Sequence, residues 1–222
     1  MRKYYEAYDD RYIQVHKKNL QWSSDAPSPA VLRTITEYRI PHRAAILELG
    51  CGEGRDAVHL LRNGYSVTAT DISPEAIRYC REKESAYAEN FRILDCINGA
   101  LNRQFDFIYA VAVVHMLVDD CDRMAFYSFI REHLKDDGIA LVCTMGDGTF
   151  QRSSDTSTAF DLQERTHDQS GEKMLLAGTS CRMVTWDTFL AEIRDSGMTL
   201  LDHGLTEAPP DFSVMMYAVI KK

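Results

Sequence analysis

The stretch "ILELGCGEGRDAVHL", residues 46–60, places three alternating glycines between an apolar run and a helical pattern. A chain gives up side chains at a strand end only where the backbone must adopt positive φ or let something approach closely. The helix that follows adds unpaired N–H groups to the same spot. A tight strand-to-helix turn without a ligand is the plainer reading, and three glycines in alternation weigh against it. The segment therefore marks the start of an α/β fold with a ligand at the first strand end.

The rest of the chain agrees with that class. Apolar runs at 44–49, 65–70, 90–94, 105–111 and 139–144 alternate with helical patterns from Asp56 to Asn63, Pro74 to Glu84 and Asp122 to Leu134. "KDDG" follows the last of these, with Gly138 expected as its cap. Strands separated by helices of this length build right-handed βαβ units and a parallel sheet. After a helix from Thr185 to Ser196, "MTLLDHGL" and "SVMMYAVIKK" are joined closely enough to pair only antiparallel. Seven strands, mostly parallel with an antiparallel edge, are expected within one domain over residues 1–222.

Two segments flank this core. Residues 1–43 carry Tyr4, Tyr5, Tyr8, Tyr12 and Trp22, then a helix from about Ser28 to Tyr38, and are expected to form a helical cover. Residues 145–184 are too long for a simple connection. There "TAFDLQERTH" alternates, "DQSGE" is a turn and "KMLLAG" follows, which predicts an inserted β-hairpin lid after the fifth strand. Replacing 150–178 by a short loop is expected to spare ligand binding at the glycines while removing turnover.

Which ligand the glycines serve follows first from what is missing. The chain has no GxxxxGK[ST] phosphate loop. The dinucleotide pattern GxGxxG/A needs a small third residue, but Arg55 stands directly after Gly54. An acid followed by GxGxG remains, suited to a ligand with a carboxylate, an ammonium and a nucleoside but no pyrophosphate. Asp71 ends the second strand about 20 residues on, where a ribose-binding carboxylate belongs. Its alternative role, capping the helix that starts at Pro74, suits Ser73 better. Asp95 follows the third strand, either as a solvated loop acid or as an acceptor for a base amino group, with the Cys96 N–H as a donor. In a parallel sheet Glu48, Asp71 and Asp95 share one edge.

With those residues in place, "ILELGCGEGRDAVHLLRNGYSVTATDIS", "RILDC" and "FDFIYAVAVVHML" resemble the class I S-adenosylmethionine-dependent methyltransferases over about residues 40–145. The small-molecule enzymes of the tellurite-resistance and thiopurine type look most similar. The resemblance implies a Rossmann-like α/β sheet with helices on both faces, with S-adenosyl-L-methionine as cofactor and S-adenosyl-L-homocysteine as product. It implies Gly50, Gly52 and Gly54 around the methionine part, Asp71 at the ribose and Asp95 with Cys96 at the adenine, with Cys51 and Ile72 as further cofactor-binding candidates. Glu48 would organise the loop or reach the amino group through water. Arg55 would meet the carboxylate or pair with a surface acid, and Val111 is a further cofactor-binding candidate.

The acceptor side is less legible. No (D/N)PPY motif follows the fourth strand, which points to a small acceptor. His115 is the ionisable residue near that edge, read either as general base and catalytic residue or as a packed histidine. Tyr12 and Trp22 stand as candidates to close over the cofactor, whereas Tyr4 and Tyr8 read as a docking stripe. At most one of Arg152, Arg165, His167 and Arg182 is expected to meet an anionic acceptor, and Cys181 reads as inert.

Charge narrows the partners. A net charge of −8 repels phosphate backbones, so a small molecule is expected rather than nucleic acid. "MRKYYEAYDDRY" has no apolar core of a secretory signal, and "FIYAVAVVHML" is shorter than the about 20 residues a span needs. Six cysteines without a CxxC pair read as reduced thiols, with no metal site, in a cytoplasmic monomer or homodimer. The alternatives left standing are RNA or protein methylation, a non-catalytic cofactor-binding regulator, and, least favoured because of Arg55, an NAD-linked oxidoreductase.

Overall fold

The computed structural model describes residues 2–167, 170–209 and 212–222. Helices α1 (Ala7–His16) and α2 (Pro29–Glu37) precede strand β1 (Ala45–Leu49). Then come α3 (Arg55–Arg62), β2 (Ser66–Asp71), α4 (Pro74–Lys83), β3 (Phe91–Ile93), β4 (Phe105–Val111), α5 (Asp120–His133) and β5 (Leu134–Met145). The insertion holds β6 (Arg152–Ser153), β7 (Leu162–Thr166), β8 (Lys173–Ala177) and β9 (Arg182–Met183). Helix α6 (Trp186–Asp195) leads into β10 (Thr199–Ala208) and β11 (Phe212–Lys221).

The main sheet has seven strands in the order β10-β11-β5-β4-β1-β2-β3. β1 to β5 are parallel; β11 runs antiparallel to both β5 and β10, so the reversed strand lies one in from the edge. Successive side chains along β1 go to opposite layers, as the pleat requires. Ile46 packs with Ala57 and Leu60 of α3 and Val31 of α2. Leu47 and Leu49 pack with Phe126 and Ile130 of α5 and Phe189 of α6. Each such large side chain withdrawn from water contributes about 1.5–3 kcal/mol. Phe105, Phe107, Ile108, Tyr109 and Ala110 are fully buried, so β4 is central and covered on both faces.

Local signals set the ends of the elements. Ser73 Oγ accepts from the Ala76 N–H at 3.0 Å and Pro74 takes the first helical position, so Ser73 is the cap of α4. Gly138 departs from expectation. β5 begins at Leu134, directly after α5, and Gly138 lies inside the strand. A Cβ there would stand 3.0 Å from the carbonyl oxygens of Phe105 and Asp106. The glycine allows β5 to close on β4 where their register shifts between Phe105 and Phe107.

In the insertion, β7 and β8 form an antiparallel hairpin, and β6 pairs with β9. Of the expected turn over 168–172, Asp168 and Gln169 lie outside the described residues. The hairpin packs on α1: Val15 meets Met174 and Leu176, and Ala7 meets Ala159 and Ala177. The strand order reverses between β1 and β4, which opens a crevice at their carboxyl ends. Among the described residues no helix is long and apolar enough to cross a membrane.

Candidate active site

Gly50, Gly52 and Gly54 all have positive φ, at 68°, 52° and 85°. A Cβ on Gly50 would fall 2.4 Å from Val113 Cγ2, and one on Gly52 would fall 2.6 Å from the Tyr12 hydroxyl. Gly54 faces the interior instead, against Cys80 and Phe91, and borders neither cavity described below. The loop is tied to the end of β2. The Cys51 N–H donates to the Thr70 carbonyl, and the Gly52 N–H donates to Asp71 Oδ2, both at 2.8 Å. Asp71 Oδ1 accepts from the Ser73 N–H. Burial pushes this carboxyl above the usual aspartate value, against the pull of those backbone donors.

Two cavities meet at this loop. A narrow cleft of about 70 Å³ is lined by Tyr5, Tyr8, Tyr12, Gly50, Asp71 and Ile72, with Leu94 to Ile97 closing it. Asp95 is engaged in its own turn, accepting from the Ile97 N–H at 2.8 Å and the Asn98 amide at 2.7 Å. Burial pushes the Cys96 thiol up to about 12. A wide cavity of about 690 Å³ lies on the other side of Gly50. Glu48, Cys51, Gly52, Arg55, Val111, His115 and Trp22 border it, and Tyr8, Tyr12 and Gly50 belong to both walls.

The acids of the wide cavity differ in their partners. Glu53 accepts from the Trp22 and Ser23 N–H groups, the Ser23 hydroxyl and His16, which lashes the Trp22 segment to the glycine loop. Asp56 accepts from the Ser28 N–H and hydroxyl, and Arg55 donates to that same hydroxyl at 3.0 Å. Glu48 is buried, and its Oε2 has no hydrogen-bond partner among the described residues. Burial, then the neighbouring Asp56 charge, drives its carboxyl well up.

His115 sits on a single 3₁₀ turn, Val114–Met116. Arg123 holds that turn by donating to the Val114 and Leu117 carbonyls, and is itself clamped by Glu192 at 2.7 Å. The imidazole is buried, its Nδ1 has no partner among the described residues, and its edge meets the Phe212 ring. Burial, with the Arg123 and Arg11 charges, lowers its pKa to about 3. It is a neutral imidazole, a hydrogen-bonding group and a poor proton acceptor at neutral pH.

Several residues stand apart from their expected places. Tyr8, read as a docking residue, lines both cavities and donates to the Ser180 carbonyl. Tyr4 does dock, donating to Asp122 at 2.8 Å. Arg152 and Arg165 both face the wide cavity, whereas Arg182 is bound to the Val118 carbonyl and Asp120, and His167 is buried between Gln21 and Ser170. Cys181 borders the cavity with its thiol pushed up by burial, hence little thiolate. Tyr5 and Arg11, to which the sequence assigned no site role, line the narrow cleft and the wide cavity respectively. The spacing 5, 8, 12 puts three tyrosines on one helical face and would have revealed the line. Ala112 and Thr179 have φ of 59° and 61°, and both strained residues border the wide cavity.

Residues 46–138 match the family model described as a methyltransferase domain. Over 145 residues the chain is 28% identical to the malonyl-(acyl-carrier protein) O-methyltransferase of Magnetococcus marinus, covering 64% of this chain and 52% of that protein. The chain spans about half the length, or less, of the first curated relatives it matches. Its structure is similar to that of Burkholderia thailandensis 1,6-didemethyltoxoflavin-N1-methyltransferase with bound 1,6-didemethyltoxoflavin and S-adenosylhomocysteine. The TM-score is 0.70 at 18% identity, over 97% of this chain and 87% of that one. Glycopeptide N-methyltransferase MtfA, complexed with S-adenosyl-L-methionine, gives 0.63 at 18% identity over 88% and 87%. Residues 46–138 are thus similar to a methyltransferase domain, and the chain shares its fold with those two solved structures.

Proposed function

We propose that this protein transfers a methyl group from S-adenosyl-L-methionine to a small-molecule acceptor. The observation that carries the reading is the pair of cavities sharing one wall at Gly50, Tyr8 and Tyr12. The residues present fit the donor. Asp71 keeps lone pairs for ribose hydroxyls beyond its two backbone donors, Ile72 and Cys96 offer apolar faces to a base, and the glycines leave backbone open. The unfilled acceptor of Glu48 suits an ammonium group. Asp95 lies in the cleft wall and is held by its own turn, which leaves the backbone beside Cys96 to meet the adenine.

When bound, the cofactor supplies a sulfonium methyl: an acceptor lone pair bonds that carbon, the carbon–sulfur pair returns to sulfur, and any acceptor proton leaves. The protein's part is to hold the acceptor in line and exclude water, and positioning supplies roughly 7–11 kcal/mol of such barriers. His115 remains neutral, and burial holds the Tyr8 and Tyr12 phenols protonated, so the wall orients an acceptor without a strong base. An acceptor already ionised, or one that sheds its proton to water, suits it. We place the whole chain in one domain, with 1–43 and the hairpin as covers, acting in the cytoplasm on a small molecule and not on nucleic acid.

Calorimetry and thermal shift with S-adenosylhomocysteine and NAD, beside an acceptor screen using methyl-labelled donor, test the proposal. Stabilisation by the homocysteine product and not by NAD is expected, with label passing to a small acceptor. Stabilisation by NAD alone would overturn it. Tight donor binding with no turnover on any acceptor would leave a regulatory cofactor binder.

A further inference from the structure

The wide cavity holds charge that donor binding does not use. Arg11 on α1, Arg152 on β6 and Arg165 on β7 all border it, and none has an ion-pair partner among the described residues. Arg11 Nη2 donates to the Ala177 and Gly178 carbonyls and to Thr179 Oγ1, while its Nε is buried with no hydrogen-bond partner among the described residues. Arg11 also stacks over the Tyr8 and Trp22 rings, which fixes the guanidinium at the cavity wall.

The acids of the same cavity do not balance these cations. Glu53 is bound by four donors, Asp56 by Ser28 and Arg55, and Glu48 is buried deep beside Asp56. A chain of net charge −8 thus keeps three arginines without carboxylates at one cavity. Like charges gathered without a counter-charge are costly, and an entering anion converts that cost into charge-assisted, fork-like hydrogen bonds. A volume of about 690 Å³ is that of a small-molecule site.

We infer that Arg11, Arg152 and Arg165 bind the carboxylate or phosphate of an anionic small molecule, which is the methyl acceptor. That the anion is the acceptor rests on the proposed methyl transfer; the arginine site does not. Anchored there, the molecule extends toward the shared wall at Gly50.

The test compares the wild type, Arg11→Lys and the double variant Arg152→Gln/Arg165→Gln. The two residues of the double variant are exposed, so the fold is spared. Sodium phosphate and sodium benzoate are titrated by thermal shift and calorimetry against sodium chloride at equal ionic strength, which removes general screening. At least one of the two anions should stabilise the wild type beyond chloride, and which one does so identifies the headgroup. Its affinity should fall about ten-fold or more in the double variant, as lost charged hydrogen bonds predict, and less in Arg11→Lys. S-adenosylhomocysteine should bind the wild type and the double variant alike. Acceptors in the labelled screen should be turned over as free acids and not as methyl esters. Equal anion affinity in wild type and double variant, or esters methylated as well as acids, would overturn the inference. Failure of S-adenosylhomocysteine to bind, with the anion effect intact, would overturn only the methyl-transfer reading.

Discussion

Asp71 spends one carboxylate oxygen on the glycine loop and the other on the turn into α4, so it shapes the cradle as well as facing the cleft. Asp71→Ala should weaken S-adenosylhomocysteine binding by roughly 1.5–3 kcal/mol, and Asp71→Asn by less, because the amide keeps one acceptor. Calorimetry on the two folded variants checks the order; unchanged affinity in the alanine variant would put the ribose elsewhere. His115 makes a pH prediction. Its folded pKa of about 3 lies below the ordinary 6.5, so between those values the unfolded chain binds the extra proton. Stability should therefore fall as pH drops through that window, by at most about 1.4 kcal/mol per pH unit from this group. His115→Gln should flatten the slope in denaturant titrations at pH 4 and pH 6.5. Glu48 has the opposite sign. Its raised pKa means folding favours the protonated form, so stability is lost as pH rises above the ordinary glutamate range. Glu48→Gln should raise the melting temperature more at pH 8 than at pH 5.

At the scale of elements, α1 and the β7–β8 hairpin are one structural unit. Val15 is fully buried against Met174 and Leu176, and Arg11 and Gln14 bond to the backbone at Ala177. The deletion of 150–178 expected from sequence to spare cofactor binding takes on a different outcome. It would strip one side of α1, which carries Tyr8 and Tyr12 into the cleft, so affinity for S-adenosylhomocysteine should fall along with turnover. Hydrogen exchange in α1 and the hairpin should slow together when the product binds. The Arg123–Glu192 pair links α5 to α6 and holds the His115 turn. With the arginine side chain only 1% exposed, Arg123→Ala should cost about 3–5 kcal/mol in denaturant unfolding, since it strands the glutamate and two carbonyls.

For the molecule as a whole, ligand occupancy and stability are coupled: product at 100 times its Kd should add about 2.7 kcal/mol to unfolding. The α/β class, the strand alternation and the glycine turn after β1 were legible in the sequence because each depends on local chemistry. Three positive-φ glycines, a Ser-Pro helix start and an acid near the end of each of the first three strands constrain the backbone within a few residues of themselves. The departures came where distant segments compete for one place. Gly138 looks like a helix cap until β4 passes beside it, and Tyr8 looks like a docking residue until the sheet edge arrives under it. Tertiary structure alone decided the arginine-lined wall of the wide cavity. It brings Arg11 against a backbone 166 residues away and sets Arg152 and Arg165 on the same cavity. The protonation state of His115 was decided there too, since burial and the charges of Arg123 and Arg11, not its place in the chain, make the imidazole neutral.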